Sequence, residues 1–244
     1  MKILNYKINL LYKIKNKIFP FYKEKEVKEL FDIFEKNQEK KVAMFVGGCI
    51  RNYLNNEEVD DIDIATVFIP EEIKKMFKNT KIKVLETGIE HGSVTLINGK
   101  SKFEITTLRK DISTNGRHAE ILFTDDWQED SNRRDFTINA IYMDRRGNIF
   151  DPQSGVKNLK DNIVKFIGDP SQRIEEDYLR IIRFIRFVLQ YSSTIENSTL
   201  EAIKINLNGI KNISKERILN ELFKIVDLSN FDNIVNNENL KKIF

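Results

Sequence analysis

Cysteine is almost absent. Cys49 stands alone, so no internal disulfide is available, and the chain does not read as a small secreted domain held by cross-links. Long apolar runs are missing as well. Nothing approaches the roughly 20 consecutive residues that a bilayer-spanning helix needs, which excludes helical membrane spans and sets the expectation of a cytoplasmic protein without a membrane partner. A surplus of one charge is also lacking. Forty Lys and Arg stand against 37 Asp and Glu, a formal net charge of +3, so the chain is not a bulk polycation that coats nucleic acid. Any nucleic-acid partner must be held by local basic patches beside local acids. The two histidines, His91 and His118, have no companions at zinc-ligand spacing. Two glycine signatures are absent too: there is no G-x-G-x-x-G, and Gly99-Lys100-Ser101 has Val94 where a Walker loop needs its first glycine.

What is present is a chain of 244 residues with 41% hydrophobic residues spread along its length, enough for one large domain or two modest ones. Residues 1–23 carry six lysines and no acid, and read as an amphipathic helix broken at Pro20. A second helix is expected over Lys25 to Asn37, with Val27, Leu30, Phe31 and Phe34 as its buried stripe. The texture then changes to alternating strand and helix. Strands are expected at Lys41–Val46, Asp61–Ala65, Lys83–Glu86, Ser93–Ile97 and Lys102–Leu108, with a hairpin turn at Asn98-Gly99 and a helix opening at Pro70. From Asp169 onward glycine nearly disappears and the pattern becomes helical. Ile174–Tyr191 is apolar on almost every face, and further helices fit Ser198–Leu207 and Ser214–Val226, the last with an N-cap serine. The expected organisation is an N-terminal lysine-rich helical segment (1–40), an α+β head (41–150), an all-helical neck (151–230) and a C-terminal remnant (231–244).

The chemistry begins with Asp61 and Asp63. On a strand, residues two apart project from the same face, so the two carboxylates converge. Like charges that close raise each other's pKa unless a cation sits between them. Magnesium, a hard ion that takes oxygen ligands and binds substrate phosphates, is the natural occupant. Glu104 is a candidate third carboxylate if its strand lies alongside. Such a pair also occurs on solvated strand edges, so its surroundings matter. Gly47-Gly48 follows a strand and opens a helix, which lets backbone N–H groups approach an anion, and Arg51 lies one turn further on.

Two more clusters join these. Arg133, Arg134, Asp135 and Asn139 fall within eight residues, and supply the groups that phosphate, ribose hydroxyl and base-edge contacts call for. A surface ion-pair cluster is the alternative. Glu176, Asp177, Arg180 and Arg183 fall within about one third of a continuous helix's circumference. A carboxylate and a guanidinium one turn apart imitate a pairing base edge, whereas an intrahelical salt bridge is the plainer alternative.

In order along the chain, VGGCIRNYL (46–54), DDIDIAT (60–66), EHGSVTL (90–96), FEITTLR (103–109), NGRHAEILFTDDW (115–127), RRDFTINA (133–140), DPQSGVKNL (151–159) and IEEDYLRIIRFIRF (174–187) resemble the class II tRNA nucleotidyltransferases and the related bacterial poly(A) polymerases. The resemblance covers about residues 42–226. It implies a polymerase-β-like head with a mixed sheet and helices, a helical neck, and transfer of CMP and AMP from CTP and ATP to the 3′ end of tRNA. By position it implies that Asp61 and Asp63 hold Mg²⁺, with Glu104 completing the acidic site. It further implies that Gly48 and Arg51 contact the triphosphate, and that Arg133 or Arg134, with Asp135 and Asn139, binds the nucleotide and its sugar. Asp177 and Arg180 would read the base, supported by Arg183 and Arg186. Arg109–His118 matches the loop that helps CCA-adding members switch from C to A.

There are departures. Asn52, Asn158 and Lys165 stand where the family usually has Asp, Asp and Arg. Members of this class normally continue into helical body and tail domains that grip tRNA, which this chain would lack; a homodimer or a partner would then supply the grip. Three readings follow: a tRNA nucleotidyltransferase adding CCA, only CC or only A; a poly(A) polymerase of the same fold; or an RNA-binding module without activity.

Overall fold

The computed structural model describes residue 14 and residues 17–115, 118–228, 237–241 and 243. Residues 1–13, 15 and 16 of the lysine-rich N-terminal segment and most of the C-terminal remnant lie outside these residues. The chain divides into two compact units, and the division is not one cut. The first comprises Met1–Lys110, Leu122–Ser131 and Asn139–Pro152; the second comprises Asp111–Ile121, Asn132–Ile138 and Gln153–Phe244. Residues 132–138, expected in the head, therefore belong with the neck residues.

The first unit is built on a seven-stranded mixed sheet. Helix α1 (Lys25–Phe34) precedes β1 (Ala43–Val46), α2 (Gly48–Leu54), β2 (Ile62–Thr66), α3 (Pro70–Phe77), β3 (Lys83–Gly88), β4 (Ser93–Asn98) and β5 (Ser101–Thr107). After β6 (Arg109–Asn115) and β7 (His118–Phe123), which form a separate two-stranded sheet belonging mostly to the second unit, come α4 (Trp127–Asn132), β8 (Tyr142–Met143) and β9 (Ile149–Phe150). The large sheet runs β3-β4-β5-β2-β1-β8-β9. Its β2–β5 pair is parallel and its other pairs antiparallel, so β2 lies in the interior with a partner on each side. The helical spacing on α1 is realised: Val27, Leu30, Phe31 and Phe34 are all buried. Phe31 meets Phe45 at 4.8 Å between ring centroids, and Phe34 meets Phe77 at 5.2 Å.

The β4–β5 turn differs from expectation by one residue. Asn98 is the last residue of β4, paired with Ser101, and Gly99-Lys100 form the loop. The Asn98 amide, buried, donates to the Glu26 carbonyl and to the Glu29 carboxylate at 2.9 Å, bonds a loop position could not keep. The Arg109–His118 segment is also more regular than a loop, with β6 and β7 covering most of it.

The second unit is helical beyond residue 153. It contains α5 (Gly155–Lys160), α6 (Pro170–Glu176), α7 (Leu179–Tyr191), α8 (Asn197–Asn206), a 3₁₀ segment at Leu207–Asn212, α9 (Lys215–Val226) and α10 (Glu238–Lys241). Phe136, Phe166, Phe184 and Phe187 form its aromatic centre, at centroid distances from 4.8 to 5.9 Å. No residue of α7 is exposed, and Ser214 caps α9, both as expected.

The single helix expected over Ile174–Tyr191 is instead two. Asp177 is extended (φ −158°, ψ 103°) and ends α6. Its Oδ1 accepts from the Leu179 backbone N–H at 3.2 Å, the local bonding by which aspartate competes with helix continuation. Tyr178 in this break lies against Gly209, where a Cβ would overlap its ring. Replacing Gly209 with alanine should therefore destabilise the protein by about 1–3 kcal/mol through overpacking. Thermal or urea unfolding would read this as a lowered midpoint, and an unchanged midpoint would mean that the ring moves aside freely.

Candidate functional site

Alternation along β2 creates the first cluster. Ile62 and Ile64 are buried, which turns the intervening Asp63 to the opposite face of the sheet, where it is half-buried. Asp61 is exposed and lies one residue before the strand. The parallel register sets Asp63 beside Glu104 on β5. Glu104 is already engaged: Oε2 accepts from the Thr95 hydroxyl at 2.9 Å and Oε1 pairs with Lys102 at 2.7 Å. The Lys102 ammonium is held above its ordinary pKa, first by its hydrogen bond to Glu104 and also by the charges of Asp61 and Asp63. A lysine so surrounded marks a field that favours cations.

The turn between β1 and α2 delivers glycine to this cluster. Gly47 has φ +76°, a conformation that side-chain-bearing residues rarely adopt, and the Asp63 Oδ2 lies 3.8 Å from where its Cβ would be. Cys49, one residue past Gly48, is fully buried and donates to the Val46 carbonyl at 3.4 Å. Burial, aided by the Asp63 charge, pushes its thiol up to about 12, so it is a packing residue and not a nucleophile. Arg51 donates to the Asn139 side-chain oxygen, which joins two residues that are 88 positions apart.

These residues suit magnesium in chemistry. Asp61 and Asp63 are hard carboxylate donors, one exposed and one half-buried, in a field that already stabilises one cation. Among the described residues no group of three or more His, Cys, Asp or Glu is gathered as a metal site. Two protein carboxylates with substrate phosphates and water completing the shell fit that arrangement, because Mg²⁺ characteristically binds with so few protein ligands.

The second cluster lies within the second unit. Asp135 accepts from Arg183 at 2.8 and 2.7 Å, through Nε and Nη2. Arg183 and Arg186 both reach Glu221 on α9, at 3.4 and 2.8 Å. Asp177 and Arg180 are joined by a backbone bond, but their charged groups are turned to other partners. The Asp177 Oδ2 accepts from Arg217 at 2.7 Å, and Arg180 donates to Glu176 at 2.5 Å. The break at Asp177 is the reason: the two residues do not share the face of one continuous helix. The backbone carbonyls of Arg133 and Arg134 accept from Arg173.

With this geometry in view, the match to known families is specific. Residues 43–165 match the model described as the Poly A polymerase head domain, and residues 194–236 match the one described as the probable RNA and SrmB-binding site of polymerase A. The chain belongs to the class II tRNA nucleotidyltransferase and poly(A) polymerase head family. Among members of that family, it is similar to CCA tRNA nucleotidyltransferase 1, mitochondrial, of Danio rerio, with 42% identity in an alignment that covers 84% of this chain and 50% of that protein. It is also similar to the solved CCA-adding enzyme of Bacillus stearothermophilus in complex with CTP, with 32% identity and a TM-score of 0.72 over 82% of this chain and 48% of that one. A solved tRNA nucleotidyltransferase complexed with a primer tRNA and an incoming ATP analog gives 27% identity and a TM-score of 0.67 over 83% of this chain and 59% of that one. The chain thus spans about half the length of the curated relatives it matches. The departures from the family pattern are accommodated by polar bonds: Asn158 donates to Thr137 at 2.8 Å, Asn52 to the Glu58 carbonyl at 2.8 Å, and Lys165 faces Glu196 at 3.7 Å.

Sequence reasoning missed Arg173, Arg217 and Glu221. The last two left a faint signal, an Arg and a Glu spaced four apart on one helix, and Glu221 shares the buried side of α9 with Ile225. Burial alone would push the Glu221 carboxyl up, but Arg186 and Arg183, helped by Lys224, hold it below its ordinary value of 4.5. A carboxyl lowered in this way stabilises the fold above its ordinary pKa, and that stability is lost as pH falls through the folded value. The Glu221→Gln variant should therefore be less stable at neutral pH, by about 2 kcal/mol, and should lose less on acidification between about pH 5 and pH 3. Denaturant midpoints measured across that range check this, and parallel pH profiles for the two proteins would contradict it.

Proposed function

We propose that this chain transfers CMP and AMP from CTP and ATP to the 3′ end of tRNA, releasing pyrophosphate. The observation that carries the reading is the placement of Asp63 on an interior strand, beside Glu104 and next to the Gly47 turn, with Asp61 acting on the same lysine. Asp61 and Asp63 would hold magnesium through their carboxylate oxygens. Magnesium, when bound, would lower the pKa of the attacking 3′-hydroxyl and offset charge on the departing pyrophosphate. The rest falls to positioning and electrostatics. Backbone at Gly47-Gly48 lets the triphosphate approach closely, and Arg51, steadied by Asn139, presents its guanidinium to phosphate oxygens. No covalent intermediate on the enzyme is required, which suits a chain whose one thiol is buried.

In the second unit, Arg133, Arg134 and Asp135 would serve the nucleotide and its sugar. Asp177 and Arg180 would read the base edge, with Arg183 and Arg186 behind them. Since Asp177 engages Arg217 and Arg180 engages Glu176, reading a base means exchanging those ion pairs for hydrogen bonds to the base. A base that cannot return equivalent bonds leaves buried charges unsatisfied, which is how such an exchange discriminates.

A poly(A) polymerase is the second reading, favoured by the description of the matched head-domain model. Incubating the chain with Mg²⁺ and either CTP or ATP, on tRNAs ending at each stage of the 3′ terminus, separates the two. CMP incorporation from CTP alone on tRNA lacking its terminus, then AMP addition after the second C, is the expected result. Extension by ATP with no CMP incorporation would establish the polymerase reading instead. The Asp61→Ala/Asp63→Ala variant should lose roughly three orders of magnitude in turnover while keeping its circular dichroism; unchanged turnover would discard the metal assignment.

A further inference from the structure

Nothing in composition or spacing singles out Arg173, yet it touches four members of the second cluster: Arg133, Arg134, Glu176 and Arg180. It sits in the last turn of α6 with its side chain 11% exposed. Its Nη2 donates to the carbonyls of Arg133 at 2.5 Å and Arg134 at 2.8 Å, and its Nη1 donates to the Glu176 Oε2 at 2.6 Å. That same oxygen accepts from Arg180 at 2.5 Å, and Arg180 also donates to the Arg173 carbonyl at 2.6 Å. Two guanidinium groups thus share one carboxylate in a largely buried setting. Such an arrangement is a poor source of stability, because an apolar packing of similar volume does as well or better. Its fixed fork of donors is, however, well suited to holding two backbone carbonyls on one nitrogen and a carboxylate on the other.

We infer that Arg173 is a positioning residue for nucleotide selection, holding the backbone from which Arg133 and Arg134 project and setting, through Glu176, where the Arg180 guanidinium rests. This inference rests on the base-recognition role proposed above. It also explains how Arg180 leaves Glu176 at small cost. When Arg180 turns to a base, Arg173 remains on the Glu176 oxygen, so no buried carboxylate is stranded.

The test combines single-nucleotide incorporation with equilibrium binding of CTP and ATP, using Arg173→Gln, Arg173→Lys, Arg180→Gln and the double variant Arg173→Gln/Arg180→Gln. Arg173→Gln should raise KM for both nucleotides about tenfold and lower discrimination against UTP and GTP by a similar factor. The Mg²⁺ concentration for half-maximal activity should stay unchanged. Arg173→Lys should recover only part of the loss, since one ammonium cannot reach the two carbonyls and the Glu176 carboxylate together as the two guanidinium nitrogens do. In the double variant, discrimination should fall no further than in Arg180→Gln alone. Wild-type KM and discrimination in Arg173→Gln would overturn the inference, as would losses that multiply in the double variant. If Arg173→Gln does not fold, Arg173→Lys decides: a raised KM supports the inference and an unchanged one overturns it. A wild-type chain that binds CTP without incorporating it would overturn the transfer reading alone, and weaker binding by the Arg173 variants would still support positioning. A chain that neither binds nor transfers would overturn both.

Discussion

The placement of Asp63 on an interior strand, with Asp61 just before that strand and Glu104 beside it, is the constraint around which the first unit's candidate site is built. β2 is hydrogen-bonded on both sides, and Ile62 and Ile64 are buried beneath it. It cannot turn Asp63 away without exposing those side chains and breaking two ladders. Negative charge fixed in place in this way favours a cation nearby. Lys102 supplies one such charge, shared mainly with Glu104. On the proposed function, Asp61 and Asp63 would hold a divalent ion, with a triphosphate contributing further oxygens to it. The Gly47 turn and the Arg51–Asn139 contact would then admit and orient phosphate beside the acids.

The second unit meets a different constraint. Its centre is aromatic, but its functional face holds charge in pairs: Asp135 with Arg183, Glu221 with Arg183 and Arg186, Asp177 with Arg217, and Glu176 with Arg173 and Arg180. The Arg186 guanidinium also lies 4.1 Å from the Phe187 ring centroid, an additional hold on a group that must not wander. Buried pairs of this kind add little net stability and a great deal of geometric definition. If the proposed function holds, a site that accepts two different bases and refuses others would benefit from that definition, because each ion pair would set a threshold that a correct base must match.

Much of this was legible in the sequence where one period dominates. The stripe on α1, the alternation around Asp63 and the apolar length of α7 each follow from burial on a regular element. Legibility failed where a side chain decides the backbone. Asn98 reads as a turn residue, yet its amide is bound to Glu26 and Glu29, so it stays in the strand and shifts the turn. Asp177 reads as one residue of a continuous helix, yet its carboxylate accepts from the Leu179 backbone N–H and pairs with Arg217, and the helix breaks there. Glu26, Glu29 and Arg217 are 40 or more residues away from the residues they bind, and no local pattern announces them. The same holds for Arg173, whose partners at 133 and 134 come from a segment that precedes the helical region by many residues. Partners distant along the chain also explain why residues 132–138 fold with the helices, and not with the sheet they follow.

The central claim is that Asp61 and Asp63 bind the divalent ion. Its most direct test is iron-directed backbone cleavage: Fe²⁺ replaces Mg²⁺ in the folded chain, ascorbate and peroxide generate radicals at the bound ion, and the fragments are mapped by mass spectrometry. The account predicts cuts clustered around residues 61–63 and 47–48, suppressed by excess Mg²⁺. Cuts confined to other segments, or cuts at 61–63 that Mg²⁺ does not suppress, would contradict it.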